Sequence, residues 1–124
     1  MSGRRDESLL LDDLIGAAER LIELGARGSA GTLGLDLDIS DMIQWNLLVL
    51  GEASKRLRAI TRDRFDDVQW SDLIRTRDRI IHHYEGINWP LIGEIIDDEL
   101  PALLPRLHEI RDIVRDEFDA GGST

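Results

Sequence analysis

Cysteine is absent from the 124 residues, which excludes disulfide bonds and thiolate metal sites within this sequence. A chain without disulfides suits a reducing compartment, so a cytoplasmic location is expected. Long apolar runs are also missing, and the longest is Leu47–Leu50. A membrane-spanning helix needs about 20 apolar residues, so the sequence predicts no association with a membrane.

Basic residues are outnumbered, with 25 acids against 15 lysines and arginines and a net charge of −10. An acidic surface repels nucleic acids and anionic membranes at long range. A function on RNA would therefore depend on a local basic patch. The overall charge also suits a basic protein partner, although its plainest effect is solubility.

The apolar residues recur at the spacing of a helix, and no segment has a convincing strand pattern. Four helices are predicted, at about residues 7–27, 40–61, 70–85 and 88–119. A chain of this length forms one domain, which we place at residues 1–124 with a core at about 7–118. The predicted fold class is all-α, an antiparallel four-helix bundle with a kinked last helix.

Residues suited to helix ends mark several of these boundaries. They are Asp6, Ser40 and Asn88 as N-caps, Pro90 in the first turn of the last helix, and Gly86 just after the third helix. Pro101 lies inside the last helix, where a proline removes a backbone hydrogen bond. This helix is therefore expected to break or kink near Asp98–Leu100.

The middle of the second predicted helix is apolar nearly all round, which is typical of a central helix or of a helix shared with a second subunit. Because a four-helix monomer cannot cover all of these faces, we expect a homodimer with the third helices near its two-fold axis. Glu52 interrupts this apolar region, one turn after Leu48 and two turns after Trp45. Its carboxylate needs a partner there.

The third predicted helix carries the residues of greatest chemical interest. Arg77 and Tyr84 are seven residues apart, so they share one face, which is otherwise apolar. An arginine on such a face is costly unless it is paired or serves a site. The opposite face carries Arg75, Asp78, Arg79 and His82. Asp78 lies one turn before His82 and can accept a hydrogen bond that orients the imidazole.

Arg77 and His82 are about 140° apart on a regular helix, so one helix does not aim both at the same atom. Two arrangements would bring them together: the helix unwinds near His82, or a two-fold-related helix supplies the second half of the site. Each residue alone also has an ordinary interpretation. His82 and His83 suit a plain surface, Arg75 and Arg79 a solvated basic row, and Tyr84 a core position.

Taken together, these residues resemble the HepT-like toxins of the HEPN superfamily. Arg77, His82 and Tyr84 match the family signature Arg-x₄-His-x-Tyr. The resemblance also includes the segments Gly51-Glu52-Ala53, Trp70, Ile87-Asn88-Trp89 and Asp98-Glu-Leu-Pro101-Ala-Leu, and it covers roughly residues 8–115. The family usually has asparagine directly after the arginine, whereas Asp78 stands here, which replaces a hydrogen-bond donor with a charge.

The resemblance implies a HEPN-type helical bundle and a metal-independent endoribonuclease toxin that uses no cofactor. Arg77 and His82 are the implied catalytic residues, and supporting roles are expected for Asp78, Arg79, His83 and Glu52. The resemblance also implies a neighbouring nucleotidyltransferase antitoxin of the MNT type. In this family, such an antitoxin can transfer AMP to the signature tyrosine, here Tyr84, and so silence the toxin.

The residue types suit the implied chemistry on RNA. RNA carries its own nucleophile, the 2′-hydroxyl, so a nuclease without a metal needs a base, an acid and positive charge on the phosphorane. The imidazole of His82 has an ordinary pKa near 6.5 and can perform either proton transfer. The planar guanidinium of Arg77 fits non-bridging phosphate oxygens. A dimer would bring two histidines to one cleft, one for each proton transfer.

Two other interpretations stay open. One is a non-catalytic HEPN-type helical dimer that binds and regulates a nucleotidyltransferase, which the acidic charge and Asp78 favour. The other is a plain four-helix adaptor without any link to nucleotides. The position of Arg77 in an apolar face argues against the adaptor.

Overall fold

The computed structural model describes residues 5–27, 36–83 and 86–122, apart from the side chains of residues 80–83 and 122. Within these ranges the chain is helical and contains no strand, which confirms the all-α prediction. The elements are α1 (Ser8–Ala26), α2 (Leu37–Arg56), α3 (Ala59–Arg64), α4 (Trp70–His83), α5 (Trp89–Glu94), a π-helical turn (Ile95–Glu99) and α6 (Leu100–Gly122). No helix in the described part is both long and apolar enough to span a bilayer.

The core is centred on α1, which packs against α2 and α6, while α2 also packs against α4. These four longer helices form the predicted bundle. Leu11, Leu14 and Leu21 of α1 are fully buried, as are Ile43 of α2 and Ile110 of α6. Burial of each such side chain contributes about 1.5–3 kcal/mol, so this shared apolar contact is the main source of stability.

The helix α2 begins one turn earlier than predicted. Asp36, in extended conformation, accepts hydrogen bonds from the backbone N–H groups of Asp38 at 3.0 Å and Ile39 at 3.1 Å. Ser40, predicted as the N-cap, is instead buried inside the helix. Asp and Ser are both favourable caps, and the prediction was wrong because it chose the later of two suitable residues.

The same helix also ends earlier than predicted. We expected it to reach Thr61, but α2 stops at Arg56 because Leu57 and Arg58 adopt extended backbone, and α3 begins at Ala59. Glu7, before α1, stabilises this break and is only 2% exposed. Its carboxylate accepts hydrogen bonds from Arg58 N at 2.6 Å, Arg58 Nε at 3.0 Å and Thr61 Oγ1 at 2.6 Å.

The predicted start of the last helical segment is confirmed, whereas the N-cap of α1 is displaced by one residue. Glu7 occupies the N-cap position of α1, and Asp6, one residue earlier, accepts a hydrogen bond from the backbone N–H of Ser8 at 3.1 Å. Asn88 accepts one from the backbone N–H of Leu91 at 3.1 Å, and Pro90 lies in the first turn of α5. Gly86 differs from expectation, since no glycine in the described ranges has a positive φ and a left-handed cap is therefore not formed there.

The interruption expected near Asp98–Leu100 is present as the π-helical turn Ile95–Glu99, directly before α6. Pro101 lacks the N–H that would bond the carbonyl one turn back, so a wider turn avoids the clash that a regular helix would have there. Wide turns of this kind are an established cause of helix bending.

We expect the stability that Glu7 contributes to depend on pH. Burial acts to raise the pKa of Glu7, but the hydrogen bonds from Thr61 and Arg58 outweigh it and hold the pKa below its ordinary 4.5. A lowered pKa in the folded state adds stability above the unfolded-state pKa, and this stability is lost as the pH falls through the folded-state pKa. Glu7→Gln should therefore lower the free energy of unfolding by about 1–3 kcal/mol at pH 7.

Urea unfolding followed by circular dichroism measures this effect. The difference between Glu7→Gln and the unmodified protein should shrink as the pH is lowered through 4.5 and below. Glu19→Gln, at an exposed position of α1, is the matched control and should differ little at any pH. An equal loss for Glu7→Gln at every pH would contradict a contribution from the ionised carboxylate.

Candidate functional site

A close approach of α2 and α4 positions the candidate site. A Cβ atom at Gly51 would lie 2.1 Å from the Cβ of Arg77 and 2.9 Å from the carbonyl oxygen of Leu73. Neither atom can move without moving the backbone of α4, so only glycine fits at position 51 with the helices this close. As a result, the backbone of Arg77 lies directly over the segment that carries Glu52.

Arg77 forms ion pairs with two carboxylates. Its Nη2 lies 3.1 Å from Glu52 Oε1, and its Nη1 lies 2.8 Å from Asp78 Oδ1. The Arg77 side chain is 22% exposed, whereas both carboxylates are about half exposed. The expectation that Glu52 needs a partner is therefore met by Arg77, and α2 and α4 are joined by a charged contact beside an apolar one.

These carboxylates fix the charge of Arg77. The hydrogen bond to Asp78, with the nearby charge of Glu52, raises the pKa of Arg77 above its ordinary value against the opposing effect of desolvation. A guanidinium has five N–H donors in a planar fork, so donors remain for the oxygens of a phosphate. The arrangement can therefore bind an anion, although the two carboxylates offset the positive charge of Arg77.

Arg77 and Glu52 line a cavity of about 320 Å³. Its floor is apolar and includes Leu48 and Val49, and Trp45 lies at its edge with 65% of its surface exposed. The remaining lining residues are Leu10, Asp13, Ala53 and Arg56. An open apolar floor with charged groups at the rim suits either an extended ligand or a second protein chain.

Sequence reasoning missed Arg56 as part of this cavity. Arg56 is exposed and lies one turn after Glu52 on α2, so it faces the same side of the helix. The spacing of four residues from Glu52 is the signal that could have identified it.

The structure does not bring all the predicted site residues together. Arg79 is exposed and lines a different cavity, of about 280 Å³, with Thr76 and residues of α5. His82 and His83 end α4, but their side chains lie outside the described part of the chain. Tyr84 also lies outside the described residues. The described site therefore consists of Arg77 with Glu52 and Asp78.

Comparison with known proteins identifies relatives that are named as ribonucleases. A protein of Methanocaldococcus jannaschii named "Putative RNase" is 37% identical over 71 residues, which cover 57% of this chain and 56% of the relative. A second protein of that organism with the same description is 25% identical over 109 residues, covering 81% of this chain and 92% of the relative. The "Probable ribonuclease HepT" of Thermococcus cleftensis is 26% identical over 65 residues, covering 52% and 59%.

The match with the first of these relatives thus spans little more than half of that relative's length. No solved structure gives a significant match to the chain. The family model described as "Ribonuclease HepT-like" matches residues 14–110, which include α2, α4 and the contact between Arg77 and Glu52. The chain therefore belongs to the ribonuclease HepT-like family.

Proposed function

We propose that the protein is a metal-independent endoribonuclease toxin of a HEPN/MNT toxin–antitoxin pair. The observation that carries the proposal is the placement of Arg77, held on α2 by the absence of a side chain at Gly51 and by the ion pair with Glu52. Membership of a ribonuclease family and the Arg77–His82–Tyr84 signature support the same activity.

The proposed reaction uses the 2′-hydroxyl of RNA as nucleophile. The imidazole of His82 takes the proton of the 2′-hydroxyl as its oxygen attacks the adjacent phosphorus. A bond forms between the 2′-oxygen and phosphorus, and the bond to the 5′-oxygen breaks, with an acid supplying the proton to that leaving oxygen. The guanidinium of Arg77 stabilises the charge on the non-bridging oxygens. The products are a 2′,3′-cyclic phosphate and a 5′-hydroxyl.

The chemical roles are tested by cleavage of a fluorescent RNA in the presence of EDTA. We expect His82→Ala to lower the single-turnover rate about 10²–10⁴-fold, because general acid–base catalysis is lost. Arg77→Ala should cost about 10²–10³-fold, since the phosphorane charge loses its donor. Arg75→Ala, at an exposed position of the same helix, is the control and should retain the rate.

The identity of the product ends provides an independent check, since a hydrolytic reaction would leave no cyclic phosphate. If His82→Ala and Arg75→Ala cleave at the same rate while folded, the catalytic assignment is wrong. The alternative function, a non-catalytic helical dimer that regulates a nucleotidyltransferase, predicts no cleavage by the unmodified protein and stable binding of that partner.

The proposal includes a homodimer formed through the apolar face of α2. Trp45 is 65% exposed and lines the cavity that contains Arg77, and Met42, about one turn earlier on α2, is 41% exposed. Exposed apolar surface of this kind marks interfaces. A second copy on this face would also resolve the separation of about 140° between Arg77 and His82 on one helix, because each site could take one residue from each copy.

A mixing experiment tests the shared site. Arg77→Ala and His82→Ala are each expected to be inactive, but random mixing of the two should restore about one quarter of the original activity, since half of the dimers then contain one complete site. Trp45→Glu should prevent both dimerisation and this recovery. A strict monomer of 14.0 kDa by light scattering at micromolar concentration would contradict the dimer.

The last part of the proposal concerns silencing by an MNT-type nucleotidyltransferase. Tyr84 completes the signature and is the chain's single tyrosine. Its phenolic oxygen would attack the α-phosphate of ATP and release pyrophosphate. The attached AMP would place a bulky anion two residues from His82, where the RNA phosphate would otherwise bind.

Incubation with the cognate nucleotidyltransferase and ATP should add the mass of AMP to the peptide that contains Tyr84 and abolish RNA cleavage. Tyr84→Phe should remain folded and unmodified, whereas His82→Ala should still be modified. Modification at another residue, or of Tyr84→Phe, would overturn the assignment of Tyr84 without affecting that of Arg77 and His82.

A further inference from the structure

The segment 54–64 stands out from the acidic chain. It contains five of the 15 lysines and arginines and only one of the 25 acids. The five basic residues are Lys55, Arg56, Arg58, Arg62 and Arg64. In a protein of net charge −10, this segment is a local excess of positive charge in the sequence, at the end of α2 and along α3.

The break between α2 and α3 brings Arg62 to the end of α2. Nη1 of Arg62 donates hydrogen bonds to the carbonyl oxygens of Ser54 and Lys55, both at 3.2 Å. These carbonyls belong to the last turn of α2, so Arg62 folds α3 back against the end of that helix. The guanidinium of Arg62 is thereby held at the turn of α2 that carries Lys55 and Arg56.

The basic residues divide into two groups by their partners. Arg58 pairs with Glu7 at 3.0 Å, and Arg64 pairs with Glu117 at 2.7 Å. By contrast, no carboxylate of the described part of the chain forms an ion pair with Lys55, Arg56 or Arg62. The hydrogen bonds of Arg62 go to neutral carbonyl oxygens, which leaves its charge uncompensated.

One residue of this second group, Arg56, adjoins the candidate catalytic site. Lys55 and Arg56 are exposed at the end of α2, and Arg56 lines the same cavity as Arg77 and Glu52. A polyanion bound to Arg77 would therefore meet Arg56 next and could continue towards Lys55 and Arg62. We call Lys55, Arg56 and Arg62 the basic track.

We propose that the basic track binds the phosphates of single-stranded RNA and guides the strand to Arg77. The cleavage that follows rests on the proposed function, but binding to the track needs neither Arg77 nor His82. Phosphate contacts supply most of the sequence-independent affinity of nucleic-acid binding. The track thus provides the local basic patch without which an acidic chain would repel RNA.

Binding of a fluorescent, 2′-O-methylated single-stranded RNA, which cannot be cleaved through its 2′-oxygens, tests the track. The double variant Lys55→Gln with Arg56→Gln should bind about tenfold more weakly at 0.1 M salt. The slope of log Kd against log salt should fall by about 1.4, since about 0.7 is expected for each lost contact with a single strand. Arg62 is left intact because it also holds the helix break.

The matched control is Arg27→Gln with Arg75→Gln, which removes the same charge from two exposed, surface-paired positions. This control should remain folded, because exposed ion pairs contribute little to stability. It should bind RNA within about twofold of the unmodified protein, because neither residue belongs to the basic track. The exchange Lys55→Arg with Arg56→Lys keeps both charges and should retain binding. Equal weakening by the two glutamine pairs would show an effect of net charge alone and overturn the proposal.

A second measurement needs no variant, because Lys55 is the only lysine of the sequence. An amine-reactive reagent therefore labels Lys55 and the N-terminal amine, which mass spectrometry of peptides separates, and a free lysine derivative in the same solution serves as the reference. Bound RNA should slow the labelling of Lys55 at least about fivefold relative to that reference, as burial under a strand requires. Unchanged labelling in saturated complexes would overturn the track, and equal protection by poly-glutamate would overturn its assignment to RNA.

The readouts separate this inference from the proposed function. His82→Ala, which removes a proton-transfer group and no phosphate contact, should bind the RNA about as tightly as the unmodified protein binds it, while losing cleavage. The Lys55→Gln with Arg56→Gln variant should cleave within about twofold of the normal rate once RNA binding is saturated. Cleavage without any role of the track would refute the inference alone, and binding by the track without cleavage would refute only the proposed function.

Discussion

The contact between α2 and α4 at Gly51 determines the geometry of the candidate site. Because a Cβ at this position would lie 2.1 Å from the Cβ of Arg77, the two helices can adopt their observed distance only with glycine there. At that distance the guanidinium of Arg77 reaches Glu52 across the interface and Asp78 on its own helix. A buried steric requirement therefore sets the position of a charged group at the surface.

Much of the fold could be predicted from local patterns. Periodic apolar residues predicted the long helices, and Asn88 and Pro101 indicated a helix start and an interruption that the structure contains. The end of α2 could not be predicted in this way. It depends on Glu7, which is 51 residues before Arg58 in the sequence and replaces the helical partner of the Arg58 N–H. Periodicity contains no information about such a distant partner.

In the candidate site, too, some features could be predicted from local sequence and others depend on packing between helices. An arginine in an apolar face correctly indicated a partner, and a carboxylate at Glu52 indicated the same need from the other helix. The inclusion of Arg56 could not be inferred from α4 alone, since its place in the cavity follows from the packing of α4 over α2. Arg79 was expected to support the site but lines a different cavity, because it is two residues from Arg77 and therefore lies on another side of the helix.

The two carboxylates on Arg77 have a consequence for which anions the site can accept. A phosphate that binds this guanidinium must either displace Asp78 and Glu52 or share the guanidinium with them. Both carboxylates are attached to the same pair of helices, so their local concentration at Arg77 does not depend on the protein concentration. A ligand with a single phosphate competes poorly against such tethered groups, whereas a chain of phosphates gains from every additional attachment. Under the proposed function, we therefore expect the site to favour a chain of phosphates over free nucleotides and inorganic phosphate.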